Sequence, residues 1–220
     1  MSDLLDAHDS LEHRWRRHWY DRLMMLADGV FAIAITFLAA DITTQTGWTG
    51  DLGALWAHLG RELNSYATSF VVISIYWLAH RRFMATIIRV DAAITVLTLL
   101  VLSLIVLLPP ATRLINAYGQ YAAAREVYGG LVIAIGAMLG VLWGYASLID
   151  NAVSPEVGKW ARWFAFVRMF LTPPLFLALV MTIPNTAPGV VPLALVGLFL
   201  IGWPMRVWVL RRIGGKAFMG

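Results

Sequence analysis

The sequence predicts an all-α integral membrane protein with six transmembrane helices, and two observations favour this fold class. Hydrophobic residues make up 60% of the 220 residues and charged residues only 14%, which is far from the composition of a soluble domain. The apolar residues also form long continuous runs, each near the length of about 20 residues that crosses a hydrocarbon core. Strands of a membrane barrel are about ten residues long and alternate in polarity, so a helical bundle is favoured.

The six predicted spans are separated by residues that break helices or carry charge. Glycines follow the first span, an arginine-rich run ends the second, and Pro109-Pro110 lies near the end of the third. Prolines also interrupt the chain on both sides of the fifth. The spans cover about residues 22–42, 62–82, 91–113, 127–149, 162–183 and 189–210. We therefore predict a polar and basic N-terminal segment (1–21), a transmembrane domain (22–213) and a short tail (214–220).

The distribution of lysine and arginine predicts that both termini are cytoplasmic. Of 17 such residues, only Arg61, Arg113 and Arg125 fall on one side of the predicted bundle. The others gather in four clusters on the opposite side, which the positive-inside rule assigns to the cytoplasm. Clusters next to a membrane suit anionic lipids rather than nucleic acid. The polar N-terminus also lacks the apolar region of a cleaved signal peptide. We expect a multi-pass protein of the cell membrane.

The first span carries an acidic residue, Asp28, inside its apolar run. A charged group at that depth costs about 2.5–3.5 kcal/mol on insertion scales, so it is expected to have a specific role. At about 100° per residue, Asp28 lies about 140° from a line of residues centred on Ile33. We call this line the first-helix stripe, and it consists of Leu26, Gly29, Val30, Ile33, Thr36, Phe37 and Ala40.

Two interpretations of this helix compete. In the first, the first-helix stripe packs in an ordinary bundle and Asp28 is a buried acid paired with a basic residue. In the second, the stripe faces a pore formed by several copies of the chain, while Asp28 faces its own bundle and anchors the helix. His80, Arg82 and Asp91 lie at the same predicted depth, so the predicted pair is Asp28 with His80 or Arg82.

Two blocks of the sequence resemble the transmembrane protein 175 family of potassium channels. The first block runs from Arg22 through Leu26-Ala27-Asp28 to Thr36, where the family has Arg-x-x-x-Phe-Ser-Asp, a small apolar run and a threonine. The second block matches three family segments in order and spacing, namely Tyr66-Ala-Thr-Ser69-Phe70, Tyr76-Trp77-Leu-Ala-His80 and Asp91. The resemblance extends to the Pro109-Pro110 end of the third span and then weakens.

The resemblance implies a six-helix subunit that forms a homotetramer, with the first helix lining a central cation pathway. The family's narrowest point lies five positions after the motif aspartate, which corresponds to Ile33. The threonine tied to selectivity and the next constricting layers correspond to Thr36, Phe37 and Ala40. A polar network near the cytoplasmic side of the pore helix corresponds to Arg22, Asp28, His80 and Asp91.

Departures from the family pattern affect both the network and the pore. Leu26-Ala27 replaces Phe-Ser and Thr98 replaces an asparagine, so two hydrogen-bonding groups are lost, and Ala40 is smaller than the usual branched residue. The stripe holds neither a carbonyl filter motif nor an acidic ring. An apolar constriction at Ile33 therefore penalises the tightly hydrated sodium ion more than potassium, with Thr36 hydroxyls replacing part of the lost water. We expect a weakly selective potassium channel.

Other functional classes fit the sequence less well. A secondary transporter or proton-coupled carrier using Asp28 and His80 is the alternative, but the two halves of the chain show no internal repeat. An enzyme is not expected, because the acidic and histidine side chains come without a nucleophile or a set of metal ligands. The sequence has no cysteine and its histidines are scattered, so we expect no metal or cofactor. The expected partners are potassium ions, the lipid bilayer and further copies of the chain.

Overall fold

Helices dominate the fold. The structure is a computed structural model that describes residues 2–40, 42 and 50–182. In chain order the helices are α1 (Ser2–Ala40), α2 (Leu52–Met84), α3 (Ala92–Val106), α4 (Leu108–Tyr118), α5 (Ala122–Gly144), a π-helix (Tyr145–Ile149) and α6 (Lys159–Thr182). The sixth predicted span (189–210) and the tail (214–220) lie outside the described residues.

Three segments of the described chain are long and apolar enough to cross a membrane, namely His18–Ala40, Ala92–Tyr118 and Ala122–Ile149. The second of these combines α3 and α4, which meet at Leu107. Pro109 and Pro110 lie in the first turn of α4, where a missing backbone N–H breaks no helical hydrogen bond. The two prolines therefore lie at the start of α4, inside the predicted third span, and α4 continues to Tyr118.

α1 and α2 are both longer than predicted. α1 starts at Ser2, so the N-terminal segment and the first predicted span form one continuous helix. α2 starts at Leu52, where the side chain of Asp51 accepts a hydrogen bond from the Gly53 N–H. Such an N-cap satisfies one of the backbone donors that the first helical turn leaves unpaired. Residues 52–61 thus extend α2 by about ten residues before the predicted second span.

α2 and α6 contain the predicted second and fifth spans but are not among the three candidate spans. Polar side chains lower the hydropathy of α2, and several of them are bonded inside the bundle. The Ser69 hydroxyl lies 2.8 Å from the hydroxyl of Thr112 in α4 and 3.0 Å from that of Tyr128 in α5. All three residues are buried. Because buried polar groups need partners, this cluster joins α2, α4 and α5.

α5 and α6 form the most extensive helix contact of the described residues. Three glycines of α5, spaced four residues apart, face α6 at the positions of Pro173, Phe170 and Phe166. A Cβ atom at Gly136 would lie 2.1 Å from Cγ of Pro173. Small residues at this spacing let two helices approach closely. This glycine face of α5 is therefore used for packing within the subunit.

Two loops meet at one end of the bundle, and we call this region the loop junction (residues 85–91 and 150–158). The backbone N–H of Ile88 donates to the carbonyl of Ala152 at 2.8 Å, and that of Ser154 donates to Thr86 at 2.9 Å. Arg162 of α6 donates to five oxygen acceptors around the second loop. These are the carbonyls of Ser147, Val153, Ser154 and Val157 and the side-chain oxygen of Asn151. One guanidinium thus orders the chain between α5 and α6.

We predict that Gly136→Ala lowers the thermal unfolding midpoint of the detergent-purified protein. The new methyl group would collide with the Pro173 ring, which cannot rotate away, and overpacking of this kind costs about 1–3 kcal/mol. Gly130→Ala is the matched control on the same helix, because a Cβ there meets no atom within 4 Å. An equal midpoint for the two variants would contradict close α5–α6 packing at Gly136.

Candidate functional site

α1 presents two different faces along its apolar half. One face packs against α2 and α3 and consists of Leu23, Ala27, Phe31, Ala34 and Leu38, all of them buried. The two alanines in this set carry the smallest side chains and leave room for the neighbouring helices. Their spacing of three or four residues is that of one face of an α-helix. This face holds α1 on the remainder of the subunit.

The first-helix stripe lies on the opposite side of α1 and is largely uncovered. Leu26, Ile33 and Phe37 are 48%, 55% and 55% exposed. Thr36 and Ala40 are exposed as well, and a Cβ atom at Gly29 would meet no atom within 4 Å. No described part of the same chain covers these residues, so the stripe is available to lipid, to solvent or to another copy.

The hydroxyl group of Thr36 has a defined orientation on this stripe. It donates to the carbonyl oxygen of Ile33 at 2.8 Å. A hydroxyl has one proton and two acceptor lone pairs, so this bond uses the proton and leaves the lone pairs unused. The Thr36 oxygen is therefore an acceptor group next to the exposed side chain of Ile33.

Asp28 lies at the edge between the two faces of α1 and contacts α2. Its carboxylate accepts a hydrogen bond of 2.8 Å from the indole N–H of Trp77. The guanidinium of Arg81 lies over the Trp77 ring, 5.3 Å from its centroid, a distance typical of a cation–π contact. Asp28 is exposed rather than buried, and its hydrogen-bond donor is an indole rather than the predicted His80 or Arg82.

His80 is buried in the same region of α2. Its ring lies 5.8 Å from the ring of Phe31 in α1 and 6.4 Å from that of Phe83. The Nε2 atom has no hydrogen-bond partner among the described residues. Asp28 is close enough to act electrostatically on the imidazole. His80 thus packs against the buried face of α1 through Phe31 and lies within electrostatic range of Asp28.

Asp91 and Arg22 lie apart from the Asp28 contact. Asp91 caps the N-terminus of α3 by accepting from the Ile94 N–H at 2.7 Å, and it accepts a second bond of 2.7 Å from the Tyr145 hydroxyl. Burial raises the pKa of the Asp91 carboxyl group, whereas these hydrogen bonds and the charge of Arg89 together lower it by a larger amount. The pKa of Asp91 therefore lies below its ordinary value. Arg22 is exposed on α1. The structure therefore places Asp28 within electrostatic range of His80 and places Asp91 in a separate cluster with Tyr145.

Two residues of these clusters were not predicted to have a role. Trp77 was predicted only to belong to a family motif, yet its indole N–H forms a hydrogen bond between α2 and Asp28 of α1. Its position four residues before Arg81 could have suggested ring stacking on one helix face, but not the bond to Asp28. Tyr145 joins the π-helix to the cap of α3, and the sequence holds no signal for that contact.

The chain is similar to known proteins in both sequence and fold. The profile of the family described as "Endosomal/lysosomal potassium channel TMEM175" matches residues 22–109. A potassium channel of Streptomyces collinus is 34% identical over 143 residues, which are 62% of this chain and 68% of the relative. The human endosomal/lysosomal proton channel TMEM175 is 24% identical over 143 residues, which are 64% of this chain but only 28% of the human protein.

A solved structure extends the likeness to the fold. The crystal structure of a lysosomal potassium-selective channel TMEM175 homolog from Chamaesiphon minutus superposes with a TM-score of 0.60. The match covers 83% of this chain and 97% of that chain at 27% identity. The family is one of ion channels rather than enzymes. The profile match, the bacterial relative and the shared fold show that this chain belongs to the TMEM175 family of membrane potassium channels.

Proposed function

We propose that the chain forms a potassium-permeable, weakly selective cation channel in which four copies surround a central pathway lined by α1. The observation that carries this proposal is the exposed first-helix stripe opposite a face that holds α1 on its own subunit. An apolar helix face that the chain leaves uncovered is typical of an interaction or pathway surface. The resemblance of the bacterial relative, which is called a potassium channel, supports potassium as the permeant ion.

The constriction of this pathway is Ile33, which serves as both gate and filter. A ring of apolar side chains admits an ion only if the ring is wide enough and wet, and if the ion sheds part of its hydration. Thr36 supplies oxygen acceptors next to this ring because its proton is bonded to the Ile33 carbonyl. Phe37 and Ala40 form the following layers. Selectivity is weak, because the pathway holds no closed cage of carbonyl oxygens.

In the proposed topology the subunit crosses the cell membrane six times, with both termini in the cytoplasm. Residues 22–213 form the channel domain, preceded by the segment 1–21 and followed by the tail 214–220. The clusters of basic residues at one set of span ends support this orientation. The segments His18–Ala40, Ala92–Tyr118 and Ala122–Ile149 support three of the spans. Potassium ions, the bilayer and three further copies are the partners of each subunit.

Arg22, Asp28, His80 and Asp91 hold the pore helix in this proposal, each by a different means. The bond from Trp77 to Asp28 fixes the rotation of α1 relative to α2. The His80 ring packs against Phe31 on the buried face of α1. Asp91 fixes the start of α3, which also packs on α1. Arg22 lies one helical turn before Leu26, where the stripe begins.

Proton permeation is a second candidate function, and one observation favours it. His80 is buried within electrostatic range of Asp28, and its Nε2 atom is unbonded among the described residues; an imidazole in this setting can exchange a proton. The human relative, of which this chain covers a small part, is called a proton channel. A proton-coupled carrier using the same two residues is the related alternative. Potassium flux and proton flux measured on the same proteoliposomes separate these candidates.

We predict that Ile33→Asn increases potassium flux into proteoliposomes roughly tenfold and lowers the preference for potassium over sodium. The amide groups would replace hydration water for both ions, and a barrier lower by about 1.4 kcal/mol corresponds to that factor. Ala32→Asn is the control, since it is the adjacent exposed residue and lies about 100° around the helix. Unchanged flux in Ile33→Asn, or the same increase in both variants, would contradict a pathway along the stripe.

We expect Thr36→Val to reduce the potassium-to-sodium permeability ratio, whereas Thr36→Ser keeps it. Valine has nearly the shape of threonine but lacks the oxygen acceptor, and one hydrogen-bonding group is worth about 0.5–1.5 kcal/mol. Reversal potentials under bi-ionic conditions measure the ratio. If valine and serine give the same ratio as threonine, the hydroxyl has no part in selectivity.

We predict that Trp77→Phe lowers the thermal unfolding midpoint and changes potassium flux, because α1 loses the donor that holds Asp28. The phenyl ring still lies beneath Arg81, so the variant isolates the indole N–H. The lost bond is worth about 1 kcal/mol. Trp56→Phe is the control on the same helix, at a side chain that is 70% exposed. Equal midpoints and fluxes in the two variants would show that the Asp28 contact does not hold α1.

A further inference from the structure

The last turn of the first-helix stripe carries two side chains of very different size. Phe37 is a large aromatic residue that is 55% exposed. Ala40, which is also exposed, follows three residues later and lies about 20° from the line through Ile33. In the direction that leads away from Arg22, the stripe therefore passes from an apolar branched side chain to an aromatic ring and then to a single methyl group.

The side chains beside this aromatic ring present negative charge density. Thr36 and Phe37 lie on opposite sides of the line through Ile33, at about 60° and 40° from it. The Thr36 proton is bonded to the Ile33 carbonyl, so the hydroxyl oxygen offers only lone pairs. The face of a phenyl ring is likewise negative because of its quadrupole. In an assembly of four copies, rings and hydroxyl oxygens would alternate around the axis.

α1 brings no positive charge to this layer. Between Arg22 and Ala40 the sequence holds no other basic residue, and its one charged side chain in that interval is the acidic Asp28. Arg22 lies fifteen residues before Phe37, which corresponds to roughly 22 Å along the helix. The Phe37 layer is therefore complementary to a cation. Because its ring faces are apolar, it favours a weakly hydrated cation over a strongly hydrated one.

We propose that the Phe37 rings of four copies form a binding site for an organic cation of the quaternary ammonium class. This inference rests on the proposed function, because only an assembly around α1 brings the four rings together. Aromatic rings that surround a quaternary ammonium group are a recurrent means of recognising it. Such a group has no N–H to donate, so the site needs negative faces and not hydrogen-bond acceptors of fixed geometry.

The two neighbouring layers determine how such a ligand enters the site. Ala40 leaves the mouth beyond the rings wide, since a methyl group replaces the branched side chain expected there from the family pattern. On the other side of the rings, the constriction at Ile33 stops a cation that is too large to pass. The ligand thus reaches Phe37 only from the side of Ala40, and while bound it obstructs the potassium pathway.

Block of potassium current by choline tests this proposal on the full-length channel in a planar lipid bilayer. Choline is added to one side of the membrane and then to the other. The matched neutral probe is the carbon isostere of choline, in which a tert-butyl group replaces the trimethylammonium group. Phe37→Leu removes the ring and Phe37→Tyr keeps it. Phe164→Leu is the control, because Phe164 is an exposed phenylalanine of α6. Block is expressed relative to the unblocked current of each variant.

We expect choline to block from one side only and the neutral isostere not to block. In Phe37→Leu the half-blocking concentration rises roughly tenfold, whereas in Phe37→Tyr and Phe164→Leu it changes by less than about twofold. The isostere comparison needs no variant, so it tests the site even if Phe37→Leu assembles poorly.

Four results would count against these expectations. Potassium current that choline does not block, or the same block in Phe37→Leu as in the unmodified protein, overturns the site and leaves the proposed channel intact. Equal block by the neutral isostere overturns recognition of the charge. Equal block from both sides overturns closure of the site by Ile33. Absence of any potassium current in the unmodified protein overturns the proposed function itself.

Discussion

The rest of the structure depends on one constraint: α1 must bind its own subunit on one face and leave the opposite face uncovered. Ile33 and Phe37 on the uncovered face contribute little to the attachment of α1, because more than half of each side chain is exposed. The buried face compensates for this by packing on α2 and α3, where Ala27 and Ala34 permit close contact. A helix with only one of these faces would either detach from the subunit or leave nothing to line a pathway.

The other helices form the support that this constraint requires. α5 packs closely on α6 through its glycines, and hydroxyl groups of α2, α4 and α5 bond to one another in the interior. α1 takes no part in either arrangement. Its polar connection to the bundle is carried mainly by Asp28 and Tyr20, whose hydroxyl donates to the Met84 carbonyl at 3.0 Å. The subunit is thus a packed frame with α1 held against one side.

The sequence predicted those features that helical periodicity alone determines. The angular separation of Asp28 from Ile33 follows from the residue spacing in any α-helix, and the structure places the two side chains accordingly. The partner of Asp28 depends on how α1 and α2 are packed, so Trp77 could not be distinguished from His80 or Arg82 in advance. The helical extension before residue 22 was missed because hydropathy identifies membrane spans, not polar helices. Tyr145 and the loop junction depend on contacts between distant segments, which carry no local sequence pattern.

Arg162 gives the loop junction a property that the contacts of α1 do not have. The acceptors of its guanidinium are backbone carbonyls and an amide oxygen, none of which gains a proton under acidic conditions. The bonds at Asp28 and Asp91, in contrast, depend on carboxylates. Arg162 therefore orders the α5–α6 loop through neutral oxygen acceptors, whereas the contact of α1 at Asp28 needs a charged acceptor.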